Sequence, residues 1–407
     1  MLPKVTMSGP SWEPLRKMLA VNCLIDHIVI SYDPSKNWAW SENTVLSEIL
    51  LVCTKQRAGE QDRTKITHVY LAPRSALESK ILATRIIEAE ESSLDKNNEY
   101  ISFGEIQLGG RRSAICYSVP QKILASCKNW NVAAGFASPV LSRTAWLLAK
   151  YNKFLGVEIP LSPLGDLVEK RPVYGAKRLR IEPMIGFDVH VYQTAKTKQG
   201  GQLIDVLEGA KIETLTQLEV EPNAQVRFSN SSEITTRMSN FLIAGVARFW
   251  LYTVGLISTY CVRPVVSNRM WTVRLAEKPG FHVNDVYKIQ VLWLNSTPGL
   301  IHFLSLRQHS KGAFVQFKKE YLSLLKLLNL SKLATHKTEL LLQLYNELKV
   351  ERVNSLADQI KQAIEKRGFR WTLDSKLLQI LNPSFDLRGL SAIYQELLHE
   401  TIIHRSS

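Results

Sequence analysis

Between Asn284 and Leu328 the apolar positions change period more than once. Val286, Ile289, Leu292 and Trp293 recur at three- and four-residue spacing, which predicts a helix with one buried face, capped by Asn284. Asn295-Ser-Thr-Pro-Gly breaks it, and Thr297 followed by Pro298 starts a second helix, because proline suits a first helical turn. Arg307-Gln-His-Ser-Lys-Gly312 then reads as a solvated basic loop. Ala313–Phe317 reads as a strand, and Lys318-Lys319 open a leucine-rich helix.

Near the start, 24–30 and 44–54 are apolar runs of strand length joined by a loop. Continuous runs of this kind suit strands of a sheet buried on both faces, antiparallel at its edge. Between and around them the pattern gives a helix over 13–20, a strand over 66–71 and a helix over 75–90. A hairpin over 100–119 turns at Gly109-Gly110, and a helical stretch covers 130–153. Residues 181–233 are strand-like and irregular, and 238–275 is strand-rich. The chain beyond 330 is helical, in runs over 338–349, 353–365, 374–381 and 386–402. The fold class is mixed α/β. The longest apolar run, 241–262, contains Arg248, Thr253, Ser258 and Thr259. It is read as a buried helix passing into a strand, not as a membrane span.

Length and charge narrow the picture. A chain of 407 residues holds two to three domains of ordinary size. Its net charge of +14 favours a polyanionic partner. Five scattered cysteines with no Cys-x-x-Cys argue against a disulfide framework or a zinc site, and they suit a reducing cytoplasm. The N-terminus has no apolar signal-peptide core. Nine histidines are dispersed without metal-ligand spacing.

The candidate chemistry is cationic. Lys177, Arg178 and Arg180 follow Lys170-Arg171. Arg263, Arg269 and Arg274 lie among Trp250, Tyr252, Tyr260 and Trp271. Arg307, His309 and Lys311 stand close together before Lys318 and Lys319. Cations neutralise phosphates and aromatic faces stack on unpaired bases, so these groups suit nucleic-acid contacts.

Two stretches resemble a known family. Ser8, Gly9, Ser11, Trp12, Leu15, Arg16, Lys17, then Asp33, Pro34, Trp40, Ser41, Glu42, Thr44 and Glu48 are similar to the tail of the catalytic domain in DNA adenine amino-methyltransferases. The 284–328 stretch, with Leu292-Trp-Leu-Asn-Ser-Thr297 before a basic loop, resembles the core of target-recognition domains of type I and type IIG restriction-modification proteins. The resemblance implies the edge of a Rossmann-like methyltransferase sheet over 1–55 and a bridging segment over 56–160. It further implies an α+β target-recognition domain over 161–330 and C-terminal helices over 331–407. It makes Trp38 and Trp40 candidates for holding a flipped adenine. The family's glycine-rich S-adenosylmethionine loop and its Asn-Pro-Pro-aromatic motif do not occur in this sequence; both would lie before Met1. Leu108-Gly-Gly-Arg reads as a hairpin turn, and Asn382-Pro-Ser-Phe385 as a helix-terminating turn. The expectation is therefore the DNA-binding, specificity part of a split or truncated adenine methyltransferase. It would have no cofactor of its own and would rely on a separate chain for the catalytic motifs. The alternatives are a non-functional fragment of such a gene, a stand-alone nucleic-acid-binding protein and an enzyme of unrelated chemistry.

Overall fold

The computed structural model describes residues 1–31, 48–59, 62–70, 73, 75–89, 99–174, 179–185, 201–208, 215–229, 234–248, 252–277, 280–311 and 314–400. The architecture is mixed α/β.

The first sheet has six strands: β1 (Leu2–Pro3), β2 (Leu24–Ser31), β3 (Glu48–Thr54), β4 (Arg63–Val69), β5 (Ile101–Leu108) and β6 (Arg111–Pro120), in the order β1-β3-β2-β4-β6-β5. The apolar runs explain it. Ile25, Ile28, Ile30, Ile49 and Ile66 face a core shared with Trp130 and Trp146, while Val29, Val69, Ala114 and Cys116 face the helix Ala76–Glu88 through Leu82 and Ile86. β2 is buried on both faces over its second half, whereas β3, as apolar in sequence, leaves Leu50 and Val52 exposed. β2 and β3 are antiparallel, as the pattern predicts, but β2 is interior, paired on its other side with β4 in parallel. The 55/56 boundary therefore falls between two strands of one sheet. Gly109 and Gly110 make the β5–β6 turn with φ of +55° and +74°, angles that glycine adopts without strain. The predicted 130–153 helix is two helices, Asn131–Ala134 and Pro139–Tyr151. Ser138 caps the second, with Pro139 in its first turn, and a Cβ on Gly135 would sit 2.4 Å from the Asn131 carbonyl oxygen.

The second large sheet runs in the order Ala224–Phe228, Gln202–Leu207, Ser258–Ser267, Ser239–Ala244, Met270–Thr272, with Glu219–Val220 lying parallel to Ser258–Ser267. The expectation of a buried helix over 241–262 is corrected here. Ser239–Ala244 and Ser258–Ser267 are antiparallel neighbours, and the β-branched and aromatic residues between 241 and 262 fit a pleated core surface better than a helix. No helix among the described residues is long and apolar enough to cross a membrane.

The helices Val283–Asn295 and Thr297–Ser305 lie in the middle of the largest core, with almost every residue buried. The C-terminal helices Thr335–Leu348, Leu356–Ile364, Gly368–Leu381 and Arg388–His399 complete that core through Leu341, Leu344, Ile360, Leu377 and Leu390.

Candidate nucleic-acid interface

The central helix pair holds the second sheet in place through side chains at the break between its helices. The Asn295 carbonyl oxygen accepts the Ile257 backbone N–H at 2.8 Å, and its amide donates to the Ser258 carbonyl at 2.8 Å and to Val291 at 2.9 Å. One side chain thus ends a helix and starts a strand. Ser296, not Asn284, caps a helix in this region, through Gly299 N–H; the cap of the first helix is His282. Thr297 donates both its backbone N–H and its hydroxyl to Asp374, which also accepts from Tyr394 at 2.9 Å. Burial pushes the Asp374 carboxyl up, opposed by the nearby Arg370 and by these donors.

From this frame the chain brings two basic hairpins to one strand. Lys170–Tyr174 and Leu179–Pro183 form the first, with Lys170 opposite Pro183, Arg171 opposite Glu182 and Val173 opposite Arg180. Its base is fixed by Glu169 N–H to the Arg274 carbonyl at 2.9 Å and Arg274 N–H to the Met184 carbonyl at 3.1 Å. Gln308–Lys311 and Phe314–Gln316 form the second hairpin, and Val246–Arg248 pairs with its Phe314–Gln316 strand. Its root is tied at Gly245: Gly245 N–H donates to the Arg269 carbonyl at 3.2 Å, Phe317 N–H to the Gly245 carbonyl at 2.9 Å, and the Trp271 indole to the Phe317 carbonyl at 2.9 Å. A Cβ on Gly245 would stand 3.0 Å from the Trp271 ring and 3.1 Å from the Arg269 carbonyl oxygen, so any side chain there would make the Trp271 ring shift. Phe317 anchors the junction by stacking on Phe303, ring centroids 3.7 Å apart. The two roots, at Arg269 and Arg274, lie five residues apart on either side of the strand Met270–Thr272.

The sequence candidates divide on this frame. Arg269 and Lys318 are exposed at the Gly245 junction, with half-buried Lys319 beside them. His309 and Lys311 lie on the second hairpin and Arg180 on the first, placed by their backbone pairing. Arg263 is exposed but ion-paired with Asp205 at 2.8 Å, a carboxylate that also accepts from Gln225 at 2.9 Å. Arg274 is likewise held, by Glu169 at 2.9 Å and the Thr236 carbonyl at 3.1 Å. Trp38, Trp40, Lys177 and Arg178 lie outside the described residues, as do Gly312 and Ala313.

Arg307 is the clearest correction. The predicted solvated loop is a strand from Gln308, and Arg307 is 1% exposed. Its guanidinium donates to the Leu304 carbonyl at 2.7 Å and to the Gly135 carbonyl, and lies over the Phe136 ring at 5.1 Å. The helix end and the 131–137 turn present carbonyls that lack partners, and a guanidinium satisfies several at once. Arg307 belongs to a buried polar group that the sequence did not announce, with Lys4, His68 and Glu400. Glu400 accepts Ala137 N–H at 3.2 Å and Ser138 N–H at 3.0 Å. Burial, then Lys4 and Arg307, push the His68 imidazole down to about 3, and burial holds the Lys4 ammonium well below its usual range. Arg16, one of the residues carrying the family resemblance, also serves structure. It donates to the carbonyls of Thr6 at 2.7 Å and Gly9 at 2.9 Å, and to the Tyr321 hydroxyl at 2.7 Å.

No protein-family model and no curated protein sequence matches the chain. Among solved structures, the type IIG restriction endonuclease BpuSI is similar with a TM-score of 0.44 and 11% identity, over 99% of this chain and 47% of that one. The chain spans about half the length of that structure, and a likeness at this level fixes neither activity nor partner.

Proposed function

We propose that the chain is the DNA-binding, specificity part of an adenine-specific DNA methyltransferase of a restriction-modification or phage-defence system. The observation that carries the DNA-binding half is the rooting of two basic hairpins on either side of the strand Met270–Thr272, with Arg269 and Lys318 exposed at one root. Hairpins rooted side by side would bring their cations to phosphates of one duplex. The methyltransferase half rests on the resemblance of 8–48 and 284–328. The sequence has neither the glycine-rich cofactor loop nor the Asn-Pro-Pro-aromatic motif, so S-adenosylmethionine and the catalytic groups belong to protein outside these residues.

The test is fluorescence anisotropy on duplex DNA across a salt series. Affinity is expected to fall steeply with salt, with a slope of about 0.9 per phosphate contact. Arg269→Ala with Lys318→Ala is expected to weaken binding at least about tenfold, or about 1.4 kcal/mol. Affinity that stays flat from about 50 to 200 mM salt, or an unchanged double variant, would remove this surface from any DNA interface.

A further inference from the structure

Away from the hairpins, a half-open cavity of about 210 Å³ lies between the helix Pro139–Tyr151, the 126–129 turn, the helix Thr297–Ser305 and the strand Lys326–Leu328. The chemistry of its lining is one-sided. Asn129, Trp146 and His302 line it and are 1%, 4% and 1% exposed. The Asn129 amide nitrogen and the Trp146 indole nitrogen have no hydrogen-bond partner among the described residues, and neither ring nitrogen of His302 has one of good geometry. Asn129 keeps its oxygen occupied with Asn131 N–H at 2.9 Å, so only its NH2 is left. Lys128, Lys150 and Lys326 also line the cavity, and none of their ammonium groups makes an ion pair among the described residues. The opposite wall is apolar: Val132, Ala149, Leu306 and Leu324.

Buried donors left without an acceptor are destabilising, and several converging on one cavity call for an acceptor there. Three cations around the same space call for negative charge. The field is felt inside the protein: burial and then Lys326 push His302 down to about 3, against the Leu324 carbonyl. Burial depresses Lys326 itself, with Asp166 opposing and Lys332 adding to it. The volume falls below the roughly 300–1,000 Å³ of sites for drug-sized ligands, which favours a compact occupant.

We propose that this cavity is a binding site for a small organic anion, an oxyanion head of carboxylate or phosphate on a compact apolar body. The head meets Asn129 Nδ2, Trp146 Nε1 and the lysines, and the body lies on the apolar wall. The site is separate from the proposed DNA surface and stands or falls without it.

Phenyl phosphate and benzoate are the probes, titrated into the full chain by calorimetry and by ¹⁵N NMR of the tryptophan indoles. The Trp146 signal is assigned through Trp146→Phe. At least one probe is expected to bind saturably with a Kd below about 1 mM and to move the Trp146 indole resonance. Asn129→Asp keeps the acceptor for Asn131 N–H but replaces the donor with a negative charge. It is expected to weaken binding at least about tenfold, as is Lys326→Met, each checked for native fold by circular dichroism. Absence of saturable binding by either probe, a silent Trp146 resonance, or undiminished affinity in the folded variants would overturn the proposal. Duplex DNA shifting the same resonance and displacing the probe would make the cavity a seat for a backbone phosphate, and would overturn it as a small-molecule site.

Discussion

At Arg307 the cost of burying a charge is offset residue by residue. The guanidinium is away from solvent but keeps the Leu304 and Gly135 carbonyls and the Phe136 face, and its own carbonyl accepts the Asn131 amide at 2.9 Å. Glu400 supplies negative charge near the group, felt at Lys4 as a raising influence. Truncating such a residue leaves the Leu304 and Gly135 carbonyls buried without their donor, which costs about 1–3 kcal/mol each where an exposed arginine would cost under about 0.5 kcal/mol. Arg307→Ala is therefore expected to lower the urea midpoint strongly, while leaving DNA affinity unchanged in the fraction that remains folded. A midpoint equal to wild type would mean that the side chain is solvated after all.

The helix pair Val283–Asn295 and Thr297–Ser305 owes its geometry to a single missing side chain. A Cβ on Gly299 would lie 2.0 Å from the Trp293 carbonyl oxygen and 2.9 Å from Leu294 Cα. The second helix can start against the end of the first only because that atom is absent. Gly299→Ala usually gains helix propensity, but here it must push two packed helices apart, at about 1–3 kcal/mol. A thermal melt showing the variant as stable as wild type would refute the close approach. Much of this element was legible in the sequence: the spacing of Val286, Ile289, Leu292 and Trp293, the Asn295–Gly299 break and the proline start all stand as read. The following segment was not legible. Gln308–Lys311 is a strand because Phe314–Gln316 pairs with it and with Val246–Arg248, far earlier in the chain, and local pattern carries no record of a distant partner. Likewise the sequence shows that Arg263, Arg269, Arg274 and Lys318 are basic, but Asp205 and Glu169 pair Arg263 and Arg274, while the Gly245 junction presents Arg269 and Lys318. The basic character of the candidate interface was readable, and its membership was not.

For the molecule as a whole, two imidazoles buried in different cores set the response to acid. His68 lies in the buried polar group near the first sheet and His302 beside the anion cavity, and both are held down to about 3 by burial and nearby cations. An unfolded histidine titrates near 6.5, so between these values the unfolded chain binds protons that the folded chain refuses. A depressed folded pKa contributes stability that is fully present above the unfolded value and is lost as pH falls towards the folded one. By about pH 5 each histidine should have cost the protein on the order of 2 kcal/mol. His27, lowered first by burial and then by Lys65, adds in the same direction. Asp374 opposes them: its carboxyl is raised by burial, so its folded form gains protons first and its contribution grows as pH falls. The acid region lies where a chain of net charge +14 at pH 7 becomes still more positive, and self-repulsion adds to the loss. Stability measured in urea at a series of pH values should therefore fall from neutrality towards about pH 5 with a slope of nearly two protons. His302→Leu removes one of these sites, and the imidazole it deletes has no well-formed hydrogen bond to lose. That variant should show a limb shallower by about one proton. An unaltered slope would mean that His302 takes up its proton in the folded protein much as in the unfolded chain, and that burial and Lys326 do not hold it down.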